Sequence, residues 1–321
     1  MAERPPVVAL AGGVGGAKLA QGLQAHLGER LTVVVNTADD LERHGLLVMP
    51  DHDTVMYTLA GIANREWGWG IEGETFGAFE MLARYGEPTW FRLGDRDLAT
   101  HIVRTARLRA GGRLGDVCRV LQRALGVAAT ILPMSDDPVR TEVLTDDGWL
   151  EFQDYFVGRH QEPEVRDVRF RGADLAGAGP GVVDAIEAAA AIVIAPSNPI
   201  VSLGPILTLG EIADALAAAR ARGAPIVAVS GIVGGRALKG PADRMLTSLG
   251  REASAMGVAR LLGGVATDFV LDDVDGALAG EIETLGLRAH VTDTIMGDEA
   301  ARARVAGECL AIAGLATASA S

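Results

Sequence analysis

Short unbroken apolar runs alternate along the chain with segments whose apolar positions recur at helical spacing. Val7–Ala11 is such a run and ends in Gly12-Gly13. The stretch Lys18–Leu27 then places Leu19, Leu23 and Leu27 on one helical face, and Leu31–Val35 is a second run closed by Asn36. Runs without polar interruption predict strands covered on both faces, as parallel strands are. Strand, glycine turn, helix and strand together predict the opening unit of a doubly wound α/β sheet.

The same grammar returns in the second half. Strands are predicted at Ala191–Ala195, Pro225–Val229, Thr267–Leu271 and Ala289–Thr292, with helices at Glu211–Arg222, Pro241–Leu249 and Ala253–Leu262. The middle reads differently. Helices are expected at Thr75–Tyr85 and, broken at Gly111-Gly112, across Thr100–Leu125. From Ala129 to Arg171 the pattern is β-rich, with Asp146-Asp147-Gly148 turning a hairpin between Thr141–Thr145 and Trp149–Phe156. The expected fold is therefore α/β and Rossmann-like: a doubly wound, mainly parallel sheet with an inserted helical and small antiparallel β region at about 60–180. All of 1–321 is read as one domain, with Ala316–Ser321 a frayed tail.

Composition narrows what such a fold can bind. The formal charge of −13 over 321 residues excludes a nucleic-acid partner and an acidic membrane surface, since both need a basic face. An anionic ligand would have to be met locally, by helix N-termini, a few placed cations or a divalent ion. The two cysteines, Cys118 and Cys309, lack metal-ligand spacing and read as buried thiols of a reducing compartment. Met1–Pro6 leads into too short an apolar run for a signal peptide or a membrane span, so a cytoplasmic location is expected.

Candidate chemistry lies in the loops after the strands. Gly12, Gly13, Gly15 and Gly16, followed by Lys18, form a glycine-rich turn that would let a backbone approach an anion; a ligand-free tight turn is the alternative. Asp39, Asp40, Asp51 and Asp53 follow the second strand, a density that suits Mg²⁺ or a general base. Asp53 could instead be the N-cap of the apolar helical stretch Val55, Leu59, Ile62. Arg92, Arg96 and Arg104, with His101, either gather charge against a phosphate or neutralise Asp95 and Asp97. Ser197-Asn198, Ser230-Gly231 and Met256-Gly257 are uncharged turns fit for nucleotide contacts or for close packing alone.

Ala11–Lys18, Val35–Asp40, Pro50–Leu59, Trp69-Gly70-Ile71, Leu93–His101, Leu132–Pro138, Phe152-Gln153-Asp154 and Ala195–Pro199 resemble the 2-phospho-L-lactate transferase family of coenzyme F420 biosynthesis. The resemblance runs in order from the first strand to about Gly257. It implies a Mg²⁺-dependent homodimer with two substrates. One is the deazaflavin 7,8-didemethyl-8-hydroxy-5-deazariboflavin (Fo); the other is a guanosine diphosphate ester of a three-carbon acid (phospholactate, phosphoenolpyruvate or phosphoglycerate). The ribityl hydroxyl of Fo would attack the phosphorus bearing the acid, and GMP would leave.

The resemblance also implies roles for residues. Asp53 and Arg92 would contact the deazaflavin, and Asp40 and Asp51 the metal. Gly12, Gly13, Gly15, Gly16, Lys18, Ser197, Asn198, Met256 and Gly257 would contact the nucleotide. Asp53→Ala is then expected to weaken deazaflavin binding and leave the fold intact. A nucleotide-sugar-binding regulatory protein of the same superfamily is the alternative. The stretches Asp51–Thr54, Trp69-Gly70 and Gly94–Asp97 argue for the transferase. A nicotinamide dehydrogenase fits poorly, because the second strand ends in Asn36 rather than in an acidic residue.

Overall fold

A computed structural model describes residues 5–315. The expected frayed tail, Ala316–Ser321, and the first four positions of the N-terminal segment lie outside them. The central sheet has seven strands: β1 (Val7–Ala11), β2 (Leu31–Val35), β3 (Thr130–Pro133), β4 (Ala191–Ile194), β5 (Ile226–Val229), β6 (Asp268–Leu271) and β7 (Arg288–Val291). Their order is β3-β2-β1-β4-β5-β6-β7, and every pairing is parallel. The mainly parallel sheet read from the sequence is thus wholly parallel. Strand order reverses between β1 and β4, which is where doubly wound sheets open a crevice at their carboxyl ends.

The apolar runs are unbroken because both faces are covered. Val8, Leu10, Ile192, Ile194, Ala228 and Phe269 enter the core on one side of the sheet. Val7, Ala9, Ala11, Val33, Val193, Val227 and Val270 enter the core on the other. Alternate side chains of a strand point to opposite faces, so a strand with no polar residue fills two cores. Cys118 and Cys309 are buried free thiols, as expected.

Some boundaries differ from expectation. Helix α1 (Gly13–Leu27) begins in the glycine loop itself rather than at Lys18. Helix α2 (Pro50–Leu59) begins at a proline, whose missing N–H costs nothing in a first turn. Asp53 is therefore inside that turn and is not its N-cap. The strand expected over Trp149–Phe156 stops at Glu151. Phe152 and Phe156 then stack with centroids 5.5 Å apart, and they pack with Tyr155 on Val143, Val201 and Met245.

The region drawn as one insertion at about 60–180 is in fact divided, because Thr130–Pro133 is a strand of the main sheet paired with β2. The β2-to-β3 connection carries α2, α3 (Gly77–Arg84), α4 (Asp95–Arg109) and α5 (Leu114–Ala124). The β3-to-β4 connection carries the antiparallel sheet of Arg140–Thr145, Gly148–Glu151 and Asp167–Arg171. Both connections reach over the carboxyl ends of the strands and wall the crevice there.

Candidate active site

A cleft of about 600 Å³ opens at these carboxyl ends. Its lining comes from the loops after β1 (Gly12, Gly13), β2 (Asp39), β4 (Ser197, Asn198) and β5 (Ser230, Gly231), and from α2 and α4. The glycines of the first loop are needed for packing as much as for a ligand. A Cβ on Gly12 would lie 2.4 Å from Asp51 Oδ2, and one on Gly15 would lie 2.2 Å from the Pro196 carbonyl oxygen. Removing those side chains lets α1 close onto the loop after β4 and onto the start of α2. Ser197 completes the joint by accepting a hydrogen bond from Gly12 N (3.0 Å). Asn198 is largely committed to its own turn, where Oδ1 accepts from Ile200 N (2.9 Å).

At the floor, Asn36 Nδ2 donates to Asp51 Oδ2 (3.0 Å). Asp39 is buried beside Asp51, and one of its oxygens, Oδ1, has no hydrogen-bond partner among the described residues. Burial raises the pKa of both carboxyls, and for Asp39 the charge of Asp51 adds to the effect. The expected metal pair was Asp40 with Asp51. The turn after β2, closed by Asp40 N donating to Thr37 O (3.3 Å), brings Asp39 to the cleft instead. Asp40 does not line the cleft; it is buried, with Arg140 and Arg104 among the charges around it.

One wall is a buried polar network. Asp53 accepts from both terminal nitrogens of Arg104, one at 3.0 Å (Nη1 to Oδ2) and the other closer still. His101 lies between two aspartates, with Nδ1 3.7 Å from Asp53 and Nε2 3.2 Å from Asp97. Tyr57 donates to Asp97 Oδ1 (2.8 Å). Burial opposes charge on Asp53, yet Arg104, with His52 and His101, outweighs it and holds the carboxyl well below its usual range. Atoms of Asp53, Asp97 and His101 lie within 4.8 Å of one another, a spacing that could hold a cation. The guanidinium of Arg104 already fills that role, since it also reaches His101 Nδ1 at 3.2 Å. Arg104 is thus spent inside the protein, and the sequence-based option of Arg104 as a phosphate contact is set aside.

The mouth is aromatic. Trp67 and Trp69 stack with centroids 5.2 Å apart, and Phe76 lies 5.8 Å from Trp67. Arg92 places its guanidinium 3.6 Å from the Phe76 ring centroid. Arg92 and Asp53, both expected at the deazaflavin, do line the cleft. Met256 and Gly257 do not. Met256 belongs to the core, and Gly257 lies where a Cβ would be 1.9 Å from the Glu252 carbonyl oxygen, its N–H donating to the cap residue Ser254 (3.1 Å). Small residues there serve a tight helix start.

Sequence reasoning passed over Tyr57, and it read His101 only as part of a positive cluster and Asp97 only as a partner for nearby arginines. A usable signal existed: Asp53 with Tyr57, and Asp97 with His101, are each four apart and so share one helical face.

The chain matches the family described as 2-phospho-L-lactate transferase CofD over residues 7–291, nearly its whole length. It belongs to that family. Among relatives, it is 44% identical over 314 residues to a phosphoenolpyruvate transferase of Streptomyces griseus, covering 96% of this chain and 98% of that one. It is 42% identical over 291 residues to a 2-phospho-L-lactate transferase of Methanosarcina mazei, covering 90% and 94%. Membership of the 2-phospho-L-lactate transferase family makes the protein a transferase. In fold it is similar to a UPF0052-family protein of Bacillus halodurans, seen in two crystal structures with TM-scores of 0.64 and 0.62 at 14% and 16% identity. Those alignments cover 97% and 96% of this chain and all of the other. No helix among the described residues is long and apolar enough to cross a membrane.

Proposed function

We propose that the protein transfers a phosphorylated three-carbon acid from a guanosine diphosphate ester to the ribityl hydroxyl of the deazaflavin Fo, releasing GMP, as a step in coenzyme F420 biosynthesis. The observation that carries this reading is the division of one cleft into an aromatic mouth and a polar floor. Trp67, Trp69 and Arg92 offer flat faces to a tricyclic ring, while the glycine loop, Ser197 and the buried carboxylates offer donors and charge to a diphosphate. Relatives named for phospholactate and for phosphoenolpyruvate both support a small acid phosphate as the transferred group.

In this reading the hydroxyl oxygen attacks the phosphorus that bears the acid. A new P–O bond forms, the P–O bond to the GMP phosphate breaks, and the hydroxyl proton passes to a base. Asp97 is the group placed to take it. Its Oδ1 is fixed by Tyr57, and its Oδ2 has no hydrogen-bond partner among the described residues. Mg²⁺ belongs to the proposal as well. Asp39 and Asp51 fit it, being two buried like charges with an oxygen left unpartnered. The ion would offset charge on the diphosphate. Assembly as a homodimer is the remaining part, and sedimentation equilibrium reads it directly.

The deciding experiment titrates Fo fluorescence with the purified protein, with and without Mg²⁺ and GDP. Product assays with the phospholactate, phosphoenolpyruvate and phosphoglycerate esters follow. Saturable Fo binding and a phosphodiester product are expected. Absence of Fo binding, with a nucleotide sugar bound instead, would establish the regulatory reading.

A further inference from the structure

Among 29 basic residues the chain contains only two lysines, Lys18 and Lys239. They are 221 positions apart, yet both line the same cleft. Lys18 rises from the second turn of α1, just past the glycine loop. Lys239 comes from Leu238–Pro241, the loop between the hairpin Ile232–Ala237 and the helix Ala242–Ser248.

Neither lysine forms an ion pair among the described residues, although 42 acidic residues are present in the chain. The fold instead brings their like charges together. Burial lowers the Lys18 pKa, and the charges of Arg302 and Lys239 lower it further. Holding two unneutralised ammonium groups near each other is unfavourable unless an anion joins them.

The Lys239 ammonium is also held in a fitted place. It lies 3.5 Å from the Trp67 carbonyl oxygen. A Cβ on Gly68 would stand 2.9 Å from its Nζ and 3.3 Å from Val14 Cγ2. Gly68 has a φ of +80°, a left-handed conformation that glycine adopts without strain. The aromatic mouth, the glycine loop and the Lys239 loop therefore meet at one point.

The residue type matters. The other 27 of the 29 basic residues are arginines, whose planar fork suits carboxylates and aromatic faces, as Arg104 and Arg92 show. An ammonium is a compact charge with three donors, and it can sit between oxygens of adjacent phosphates.

We propose that Lys18 and Lys239 form a two-lysine clamp for a diphosphate, with Lys239 the member that no sequence motif announced. This rests on the reading above in that the diphosphate is taken to be that of the nucleotide donor. Two ammonium charges match the two negative charges of a diphosphate diester. As the bond to the nucleotide phosphate breaks, that phosphate keeps the electron pair and gains a negative charge, which the clamp stabilises. The hydroxyl proton goes to the base and does not involve either lysine.

The test uses inorganic pyrophosphate and GDP as separate probes in calorimetric titrations of the full chain and of Lys239→Gln. Lys239 is exposed, so the variant is expected to fold, and its circular dichroism and thermal midpoint check this. Pyrophosphate affinity should fall at least about tenfold in Lys239→Gln, the usual scale for losing a charge-assisted contact. If that loss is seen but GDP binds no more tightly than pyrophosphate, the clamp stands and the guanosine reading fails. If the wild type does not bind pyrophosphate, or Lys239→Gln binds it unchanged, the clamp is overturned whatever GDP does. Reductive ¹³C-methylation keeps the charge and labels only two side-chain amines here. Both signals should move on adding pyrophosphate; movement of the Lys18 signal alone would also overturn the clamp.

Discussion

Asp53 gives both carboxylate oxygens to Arg104, and the pair is sealed from solvent between α2 and α4. The expectation that Asp53→Ala would leave the fold intact changes accordingly. Removing the carboxylate strands a buried guanidinium, a loss of about 3–5 kcal/mol in comparable pairs. Urea unfolding of Asp53→Asn and Arg104→Met should each show a loss of that order. The double variant should be less destabilised than the two losses added together, and full additivity would mean that the pair is not coupled. The sign with pH also follows. Because the folded carboxyl is held below its ordinary value, the wild-type advantage over Asp53→Asn should be flat above about pH 4 and shrink below it.

Asp39 and Asp51 have the opposite electrostatics. Their carboxyls are raised by burial, so the folded state holds protons more tightly than the unfolded chain, and stability falls as pH rises through the raised values. Without metal, Asp39→Asn should melt higher than wild type at pH 8, by roughly 2–4 °C for each kcal/mol relieved. Mg²⁺ should raise the wild-type midpoint more at pH 8 than at pH 5, and it should do little for the variant. Transfer activity of Asp39→Asn should fall despite the greater stability. Equal responses to Mg²⁺ in the two proteins would remove Asp39 from the metal site.

How much of this was legible follows from what each residue answers to. Strands such as Val7–Ala11 were readable because burial on both faces leaves a purely apolar run. Thr130–Pro133 is a shorter run that opens with a polar residue, and the hairpin that follows it drew it into an antiparallel reading; only its pairing with β2 assigns it. The choice of Asp39 over Asp40 depends on which way one turn faces, and adjacent acids carry no such mark. Lys239 was invisible for a different reason. Its partner lies 221 positions earlier, and only the fold joins them.

The aromatic mouth makes a prediction about the acceptor. Trp69 is stacked on Trp67 and partly exposed, so an incoming ring can extend the stack without repacking the core. Trp69→Ala should weaken Fo binding about fivefold, corresponding to about 1 kcal/mol for an aromatic pair beyond its buried area. Pyrophosphate affinity should be unchanged. An effect of equal size on both ligands would show that the substitution disturbs the cleft as a whole.

Asp97 is distinguished from the other acids by what its oxygens are free to do. Asp53 is consumed by Arg104, and Asp51 accepts from Asn36. Asp97 has one oxygen oriented by Tyr57 and lines the cleft beside His101. Asp97→Asn preserves shape and the Tyr57 contact but cannot accept the proton. If Asp97 is the base, kcat should fall by about 10²–10⁴, with the Fo dissociation constant and the thermal midpoint near wild type. Tyr57→Phe removes only the orienting hydrogen bond and should give a smaller loss in the same parameter. A variant that loses Fo binding while turning over bound substrate at the normal rate would instead assign Asp97 to recognition, and proton removal would then pass to solvent.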